Sequence, residues 1–394
     1  MTILETRPQT PPPTDIDNGA SEPPRAHSGP TQPRPKRRRR RVATLVLLAL
    51  LVPVGWSYGG YLTAAGNAPV GVRTVDWFRD HGFESGVNYA EQWWYTRSKP
   101  TGTTPSRSDL PNGLTTFGTS TDRLRSRQRS TLPGEGVWQN VTGLVAPAAS
   151  VQQTFIRPDA KYPSVVTDLV RLDQRAVKLV YVPGTQELGG SFEWHSQIPS
   201  SQRANVLAAF NAGFKFKHIT GGAYTEGRQL VRPLKAGSAS IVIHRDGTVD
   251  VAQWGRDATL TSDIVSVRQN LALIVDGAKL VPGMSVDRGG QWGSPKSQFQ
   301  YTWRTALGID AQGRLIYAAS HTMTLTELAQ SMVDAGAVRA MQLDIHPTVS
   351  FNWFRPNPKA PLGTDGTKLM ASMSRDATRF LLTEERDFFA VTAR

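Results

Sequence analysis

The sequence predicts an α+β protein in which a single transmembrane helix and a linker precede one domain with a twisted, largely antiparallel sheet. Three observations predict this class: one long apolar run near the N-terminus, many short apolar runs between Gly, Pro and Asp residues, and few helical patterns. The predicted parts are a disordered Pro/Arg-rich cytoplasmic tail at 1–41, the transmembrane helix at 42–65, a juxtamembrane segment and linker at 66–132, and the domain at 133–394.

The N-terminal tail contains many prolines and almost no large apolar residues, so it is predicted to be disordered. It ends in the basic block KRRRRR, and no charged residue then occurs between Arg41 and Arg73. An apolar run of about 20 residues spans a bilayer, and a basic flank remains on the cytoplasmic side. We therefore predict a single-pass protein of the cell membrane with an extracytoplasmic main domain. Cleavage of the apolar run as a signal peptide is the alternative.

The region between the membrane helix and the domain has two parts. Residues 72–95 carry several aromatic side chains among scattered charges, which is typical of a helix on the lipid surface or of a helix packed on the main domain. Residues 96–132 are rich in Ser, Thr, Pro, Gly and Arg and are predicted to be a mobile spacer.

The net charge of +13 is concentrated outside the predicted domain. Residues 1–41 contain nine Lys or Arg against four Asp or Glu, and residues 96–132 contain seven against two. Basic tails are more often solvated segments than readout surfaces, so we expect no nucleic-acid partner. The chain has no cysteine, which excludes disulfides, thiolate nucleophiles and zinc sites with Cys ligands.

The domain from residue 133 onward is predicted to consist mainly of strands. Short apolar runs with turn residues between them predict these strands: VQQTFIR, SVVTDLVRL, AVKLVYVPG, SASIVIH, TVDVAQW, NLALIVDG, TALGID and RLIYAAS. Residues 240–244 and 249–254 flank RDGT, which predicts a hairpin with Asp246 and Gly247 at its turn.

Two helices are predicted in this domain. One is Ser200–Phe210. The other is Leu325–Ala335, where Thr324 and Glu327 form a capping box and Gly336 ends the helix.

Polar residues at the ends of predicted strands, or in the loops after them, are the candidate functional residues, because a rigid sheet can orient such side chains. The candidates are Asn211, Lys215, Gly221, Gly222, Arg228, Asp276, Arg304, Asp344 and His346.

The pattern leaves alternatives open for several of them. Asn211 before Ala-Gly is also typical of a turn, and Asp276 before glycine is also typical of a hairpin. Arg304 lies among apolar residues in a predicted strand, where its charge requires a phosphate or an internal carboxylate as partner. Asp344 and His346 are residue types that bind divalent cations, so a metal site is a second interpretation there.

Several segments together resemble the phosphodiester glycosidase family, and they occur in the family's order. These segments are AFNAGFKF with GGAYTEGRQLVRP, RQNLALIVDG, WRTALGID, GAVRAMQLDIHP and RDFFAV. The family includes the lysosomal uncovering enzyme, which removes N-acetylglucosamine from phosphodiester-linked mannose. The resemblance covers about residues 150–394, and it is closer to membrane-anchored versions from high-GC Gram-positive bacteria.

The resemblance implies roles for these residues in cleaving a sugar-1-phosphodiester. It places the family's catalytic positions on Asn211, Arg304 and Asp344. Arg304 would clamp the phosphate, and Asp344 would stabilise an oxocarbenium-like centre or act as a nucleophile or base. Asn211 would bind sugar hydroxyls.

The remaining candidates are assigned to substrate binding. Lys215 or Arg228 would supply a second positive charge, and Gly221 and Gly222 would let the backbone approach the ligand. Asp276 and His346 complete the predicted substrate-binding set, which consists of Lys215, Gly221, Gly222, Arg228, Asp276 and His346.

Three functions follow as hypotheses. The first is a membrane-anchored hydrolase acting on sugar-phosphate bonds in cell-wall glycans. The second is a non-catalytic protein that binds an anionic polysaccharide, because this chain has Ile345, His346 and Pro347 where many family members have glycines and a serine. The third is a metal-dependent phosphoesterase that uses Asp344 and His346. No cofactor is required by the sequence, and a divalent cation fits the third hypothesis.

Overall fold

A computed structural model describes residues 36–97, 99–112, 122–147, 149–286, 290–293 and 297–394. The predicted disordered tail therefore lies outside the described residues, except for its last six positions. The chain divides into two compact units, residues 1–57 and 58–394.

Four α-helices occur in the described part of the chain. They are α1 (Lys36–Thr63), α2 (Val70–Phe78), α3 (Glu84–Arg97) and α4 (Leu325–Asp334). Within α1, the segment Arg40–Thr63 is long and apolar enough to cross a membrane, and the side chains of its apolar stretch are exposed. This helix covers most of the span predicted at 42–65, and its passage through a membrane stays a prediction.

In the described part of residues 58–394, the strands form three antiparallel sheets. In chain order they are β1 (Gln139–Asn140), β2 (Val151–Ile156), β3 (Thr167–Leu172), β4 (Val177–Val182), β5 (Val206–Asn211), β6 (Ala223–Thr225), β7 (Arg228–Leu230), β8 (Ala239–His244), β9 (Val249–Gln253), β10 (Ile264–Gln269), β11 (Leu273–Asp276), β12 (Lys279–Leu280), β13 (Thr302–Asp310), β14 (Leu315–Met323), β15 (Ala337–Ile345), β16 (Phe351–Pro356), β17 (Thr364–Lys368) and β18 (Phe388–Ala393).

The largest sheet has the order β1-β2-β3-β14-β13-β15-β11-β12. The other two have the orders β7-β6-β10-β8-β9 and β17-β16-β5-β18-β4. All pairings between these named strands are antiparallel, which confirms the predicted α+β class and its largely antiparallel pairing; the strands are divided among three sheets, whereas the sequence predicted one.

Both faces of the largest sheet are covered, because successive residues of a strand point to opposite faces. On one face Tyr317 packs against Phe210 of β5, with 4.9 Å between the ring centroids. On the other face Ile316 belongs to a buried cluster with Leu328 and Met332 of α4. Two covered faces explain why all nine residues of β13 are buried.

The hairpin and the second helix are confirmed. Strands β8 and β9 pair directly, and the amide of Gly247 donates to the carbonyl of His244 at the turn. At the start of α4, the Thr324 hydroxyl accepts from the Glu327 amide while the Glu327 carboxylate accepts from the Thr324 amide.

The predicted helix at Ser200–Phe210 is wrong. Ser200–Gln202 is a single 3₁₀ turn, and Val206–Asn211 is strand β5. A short apolar run cannot be assigned to helix or strand from periodicity alone. Here β5 pairs with β16 on one side and β18 on the other, and this central position decides its conformation.

The capping box of α4 should contribute measurably to stability. Thr324→Ala removes the hydroxyl that accepts from the Glu327 amide, so we expect the free energy of unfolding to fall by about 1 kcal/mol. Chemical denaturation monitored by circular dichroism measures this loss. Thr322→Ala is the control, because that hydroxyl contacts neighbouring His321 and caps no helix. Equal midpoints for the two variants would contradict the prediction.

Candidate active site

A cleft of about 710 Å³ lies where two of the sheets meet the helical segment formed by α2 and α3. Asn211 at the end of β5 and Asp344 near the end of β15 line its floor. Lys215 and Arg386 line the walls from two loops, one after β5 and one before β18. The cleft therefore combines a carboxylate, an amide and two cations from three separate parts of the sequence, at residues 211–215, 344 and 386.

Asn211 connects three elements below the cleft. Its Nδ2 donates to the Thr305 hydroxyl at 3.0 Å, and its Oδ1 accepts from the Ser350 amide at 3.1 Å. The Thr305 hydroxyl in turn donates to the Asp344 carbonyl at 2.9 Å. These bonds fix the backbone that carries Asp344, so Asn211 acts in this geometry as a positioning residue.

The Asp344 carboxylate is partly buried and lies beside Arg386. Its Oδ2 is 3.5 Å from Arg386 Nη2, and its Oδ1 accepts from the Ile345 amide at 2.9 Å. Burial raises the pKa of Asp344, and the positive charge of Arg386 opposes this rise. Because 18% of the side chain remains exposed, a ligand in the cleft can reach the carboxylate.

Arg386 is held by several acceptors. Its Nη2 donates to the Gly213 carbonyl at 3.0 Å, and its Nε lies 3.2 Å from the Glu187 carboxylate. Glu187 also accepts from the Phe216 amide at 3.0 Å, which connects it to the loop of Lys215. Burial raises the pKa of Glu187, and Arg386 opposes this effect.

A buried ion pair lies behind this wall of the cleft. Arg268 Nε donates to the Asp387 carboxylate at 2.7 Å, and both side chains are only 1% exposed. Asp387 also accepts from the Tyr181 hydroxyl, and Arg268 donates to the Phe214 carbonyl. The pair thus fixes the backbone directly beside Arg386 and the backbone directly before Lys215.

Lys215 reaches the helical segment across the cleft. Its Nζ lies 2.6 Å from Asp76 Oδ1 on α2, and the two side chains are 14% and 20% exposed.

His346 lines the cleft next to Asp344 and adopts a positive φ of 79°. Its ring stacks on Tyr95 of α3 with 5.7 Å between the centroids, and its Nδ1 atom has no hydrogen-bond partner in the described part of the chain. Burial lowers the pKa of His346 to about 3, and the charge of Arg79 acts in the same direction. The ring is therefore neutral at physiological pH, and one of its nitrogens can donate a hydrogen bond to a ligand while the other accepts one.

Arg304 is buried beneath the cleft and does not line it. Its Nε donates to the Met323 carbonyl at 2.8 Å and its Nη2 to the Gln300 carbonyl at 3.1 Å. Strand alternation explains the position, because neighbouring Thr305 points to the Asn211 side of the sheet. Burial lowers the pKa of Arg304 to about 9, which the charge of Glu327 opposes.

The two glycines proposed for close ligand approach also lie away from the cleft lining. A Cβ at Gly222 would be 1.9 Å from the Arg232 carbonyl oxygen, and a Cβ at Gly221 would be 2.7 Å from Gln269 Cβ. The absence of side chains here is explained by chain packing against these neighbours.

Arg228 and Asp276 are surface residues outside the cleft lining. Arg228 donates to the Ser191 carbonyl and lies over the Phe192 ring. Asp276 forms an ion pair with Arg256 at 2.6 Å. These contacts give both side chains a structural partner.

For a metal, the described residues provide no group of three or more His, Asp or Glu side chains that could hold an ion. Asp344 and His346 line the same cleft, but no third ligand joins them among the described residues.

Sequence reasoning missed Arg386, Asp387 and Arg268 as individual residues. A partial signal was present, because Asp387 directly precedes the apolar run FFAV and Arg268 directly follows Val267 in a strand-like segment. A charge at such a boundary indicates a partner, but sequence alone does not identify which distant residue it pairs with.

Residues 204–344 match the family model described as phosphodiester glycosidase. This confirms the predicted resemblance over a segment that begins before Asn211 and ends at Asp344. No curated protein sequence matches the chain.

Two solved structures are similar to the chain. One is the zebrafish N-acetylglucosamine-1-phosphodiester alpha-N-acetylglucosaminidase catalytic domain, auto-inhibited by its pro-peptide, with 15% identity, a TM-score of 0.42, and coverage of 65% of this chain and 88% of that one. The other is a hypothetical protein from Synechocystis, with 13% identity, a TM-score of 0.39, and coverage of 65% and 64%.

The buried ion pair behind the cleft should be costly to break. Arg268→Met leaves the Asp387 carboxylate buried without its cation, so we expect the free energy of unfolding to fall by about 3–5 kcal/mol. Urea denaturation measures this. Arg175→Met is the matched control, because Arg175 is 89% exposed and its pair with Asp173 lies at the surface. A similar small loss in both variants would show that the buried pair does not stabilise the fold.

Proposed function

We propose, from the relation of residues 204–344 to the phosphodiester glycosidase family, that this chain hydrolyses the bond between an anomeric carbon and a phosphate oxygen. Members of the phosphodiester glycosidase family are hydrolases. The observation that carries the proposal is the Asp344 carboxylate, which lies in a cleft beside Arg386 with Lys215 in the same lining. A carboxylate next to two cations suits a substrate with a developing positive charge at the sugar and a negative charge at the phosphate.

The chemistry requires little proton transfer to the leaving group. Water adds to the anomeric carbon, the bond from this carbon to the phosphate oxygen breaks, and the products are a free sugar and a phosphomonoester. A phosphomonoester leaves more readily than a sugar hydroxyl, so the strong general acid of ordinary glycosidases is less necessary. The ionised Asp344 would stabilise the oxocarbenium-like centre, act as a nucleophile, or accept the proton of the attacking water.

Binding of the phosphate requires positive charge, and two cations of the cleft lining can provide it. Lys215 and Arg386 both line the cleft, and each side chain is partly exposed. We therefore propose Lys215 and Arg386 as the phosphate-binding cations, in place of Arg304, to which the resemblance gave this role. Fixed charges in a partly buried cleft stabilise an anion without reorganisation during the reaction.

The proposed location is the outside of the cell membrane. The apolar segment Arg40–Thr63 supports an anchor, and the basic block that precedes it favours a cytoplasmic N-terminus. The substrates would then be sugar-1-phosphodiesters in glycans of a bacterial cell envelope.

The bond that breaks can be determined with synthetic methyl diesters of hexose-1-phosphates and N-acetylhexosamine-1-phosphates in ¹⁸O-labelled water. The proposal requires an unlabelled methyl phosphate and a free sugar. Labelled phosphate would identify a phosphoesterase instead. No turnover on any diester would favour a non-catalytic anion-binding protein.

Asp344→Asn should remove most of this activity. The neutral amide cannot stabilise a cationic centre or accept a proton, so we expect kcat to fall by at least about 100-fold. Release of methyl phosphate measures the rate. Asp365→Asn is the matched control, because Asp365 lies on the edge strand β17, accepts from the side-chain amide of Asn357 and does not line the cleft. Full activity in Asp344→Asn would exclude a catalytic role for this carboxylate.

The neighbouring Arg386 should set the acid limb of the pH profile. Asp344 must be ionised to act, so activity falls as the pH drops through its pKa, which burial raises and Arg386 lowers. Arg386→Met removes the opposing charge, and we expect the acid limb of kcat to move to higher pH. Arg386→Lys keeps the charge and should leave the limb near its original position. A downward shift in Arg386→Met would contradict this coupling.

A further inference from the structure

The cations of the cleft are already neutralised within the protein. In the described part of the chain, every Lys and Arg that lines the cleft contacts a carboxylate. An anionic ligand must therefore compete with a carboxylate of the chain for any of these charges. The relevant question is which ion pair a ligand can open.

Of the two cations proposed to bind the phosphate, Lys215 has the more suitable pair. The Arg79–Glu91 pair is similarly exposed, but both of its members belong to the helical segment and neither is proposed to bind phosphate. The pairs of Arg375 and Arg379 with Glu384 are almost fully buried, with exposed fractions of 5% or less. Arg386 has two carboxylate neighbours and a carbonyl acceptor. Lys215 instead contacts one carboxylate among the described residues, and both members of that pair are partly exposed.

Asp76 is held over the cleft by the chain around it. Before α2, the Ala68 amide donates to the Glu385 carboxylate at 2.7 Å, and Arg73 within α2 donates to the same carboxylate at 3.0 Å. Arg73 also donates to the carbonyls of the preceding turn. On α3, Tyr95 stacks on His346 at the other end of the cleft. The segment therefore forms a fixed wall, and the Asp76 carboxylate occupies an anion position on Lys215.

We infer that Asp76 is a specificity-determining residue that lowers the affinity of the cleft for anions by occupying Lys215. This inference rests on the proposed function, in which Lys215 binds the phosphate. A phosphate placed on Lys215 lies beside the Asp76 carboxylate, and like charges at such a distance repel. The ligand must displace this carboxylate or bind against its charge. Asp76 thereby selects for substrates that gain additional contacts elsewhere in the cleft.

Asp76→Asn tests the inference in the full chain purified in detergent. The amide preserves the shape of the side chain and removes its charge, so we expect inorganic phosphate to bind about tenfold more tightly, a gain of about 1.4 kcal/mol. Isothermal titration calorimetry measures the dissociation constant. Asp80→Asn is the matched control, because Asp80 pairs with Lys217 at the same distance of 2.6 Å but does not line the cleft. It should bind phosphate as the unchanged protein does.

Two further variants make the result specific. Asp76→Ser removes the same charge with a smaller side chain and should also bind phosphate more tightly. Adding Lys215→Met to Asp76→Asn should abolish the gain. Unchanged or weaker phosphate binding in both Asp76 variants, with an unchanged circular dichroism spectrum, would overturn the inference.

Phosphate binding is measured without turnover, so it separates this inference from the proposed function. If Asp76→Asn binds phosphate more tightly and no diester is hydrolysed, Asp76 controls anion affinity but the proposed hydrolase activity is refuted. If diesters are hydrolysed, Asp76→Asn should lower KM while kcat changes little. Hydrolysis without any change in phosphate affinity or KM would leave the proposed function standing and exclude the role of Asp76.

Discussion

The buried ion pair between Arg268 and Asp387 is the interaction on which the cleft depends. Arg268 lies in β10 of one sheet and Asp387 directly before β18 of another, so the pair joins two sheets. Removing two charges from water is expensive, and only short contacts with further hydrogen bonds compensate for that expense. Tyr181 and the Phe214 carbonyl provide those bonds. This requirement leaves little freedom in the relative position of the two sheets at this point.

The two proposed phosphate-binding cations follow from this constraint. Arg386 precedes Asp387 in the chain, and Lys215 follows Phe214, whose carbonyl binds Arg268. A buried pair that carries no exposed charge thus positions two partly exposed cations in the cleft lining. The hydrogen bonds from Asn211 through Thr305 to the backbone of Asp344 position the carboxylate in the same way from the floor.

Local features of the fold could be predicted from the sequence because they depend on neighbouring residues. The capping box of α4 and the turn at Asp246 and Gly247 involve contacts within a few positions, and both occur as predicted. The helix predicted at 200–210 is wrong because the apolar residues of this segment are compatible with both helix and strand. Only pairing with β16 and β18 decides between the two. Pairing partners that lie more than a hundred residues away leave no local pattern.

The candidate site shows the same limit at the level of single side chains. Asn211, Lys215, Asp344 and His346 were identified from their positions at strand ends, and all four line one cleft. Arg304 was identified as a charge that needs a partner; it donates to the backbone carbonyls of Met323 and Gln300 and does not line the cleft. A pattern of apolar neighbours indicates that a charge is buried, and it does not indicate what neutralises the charge.

The helical segment before the domain contributes side chains to the cleft, which composition alone could not predict. Residues 72–95 were expected to lie on lipid or to pack on the main domain, and their Asp76 and Tyr95 contact the cleft residues Lys215 and His346. The electrostatics of the cleft therefore depend on a segment outside the matched family region at 204–344. Chains that share the β-sheet framework but differ in this segment would present the same lysine with a different counter-charge. Anion affinity can then vary among them while the carboxylate and the framework that positions it stay the same.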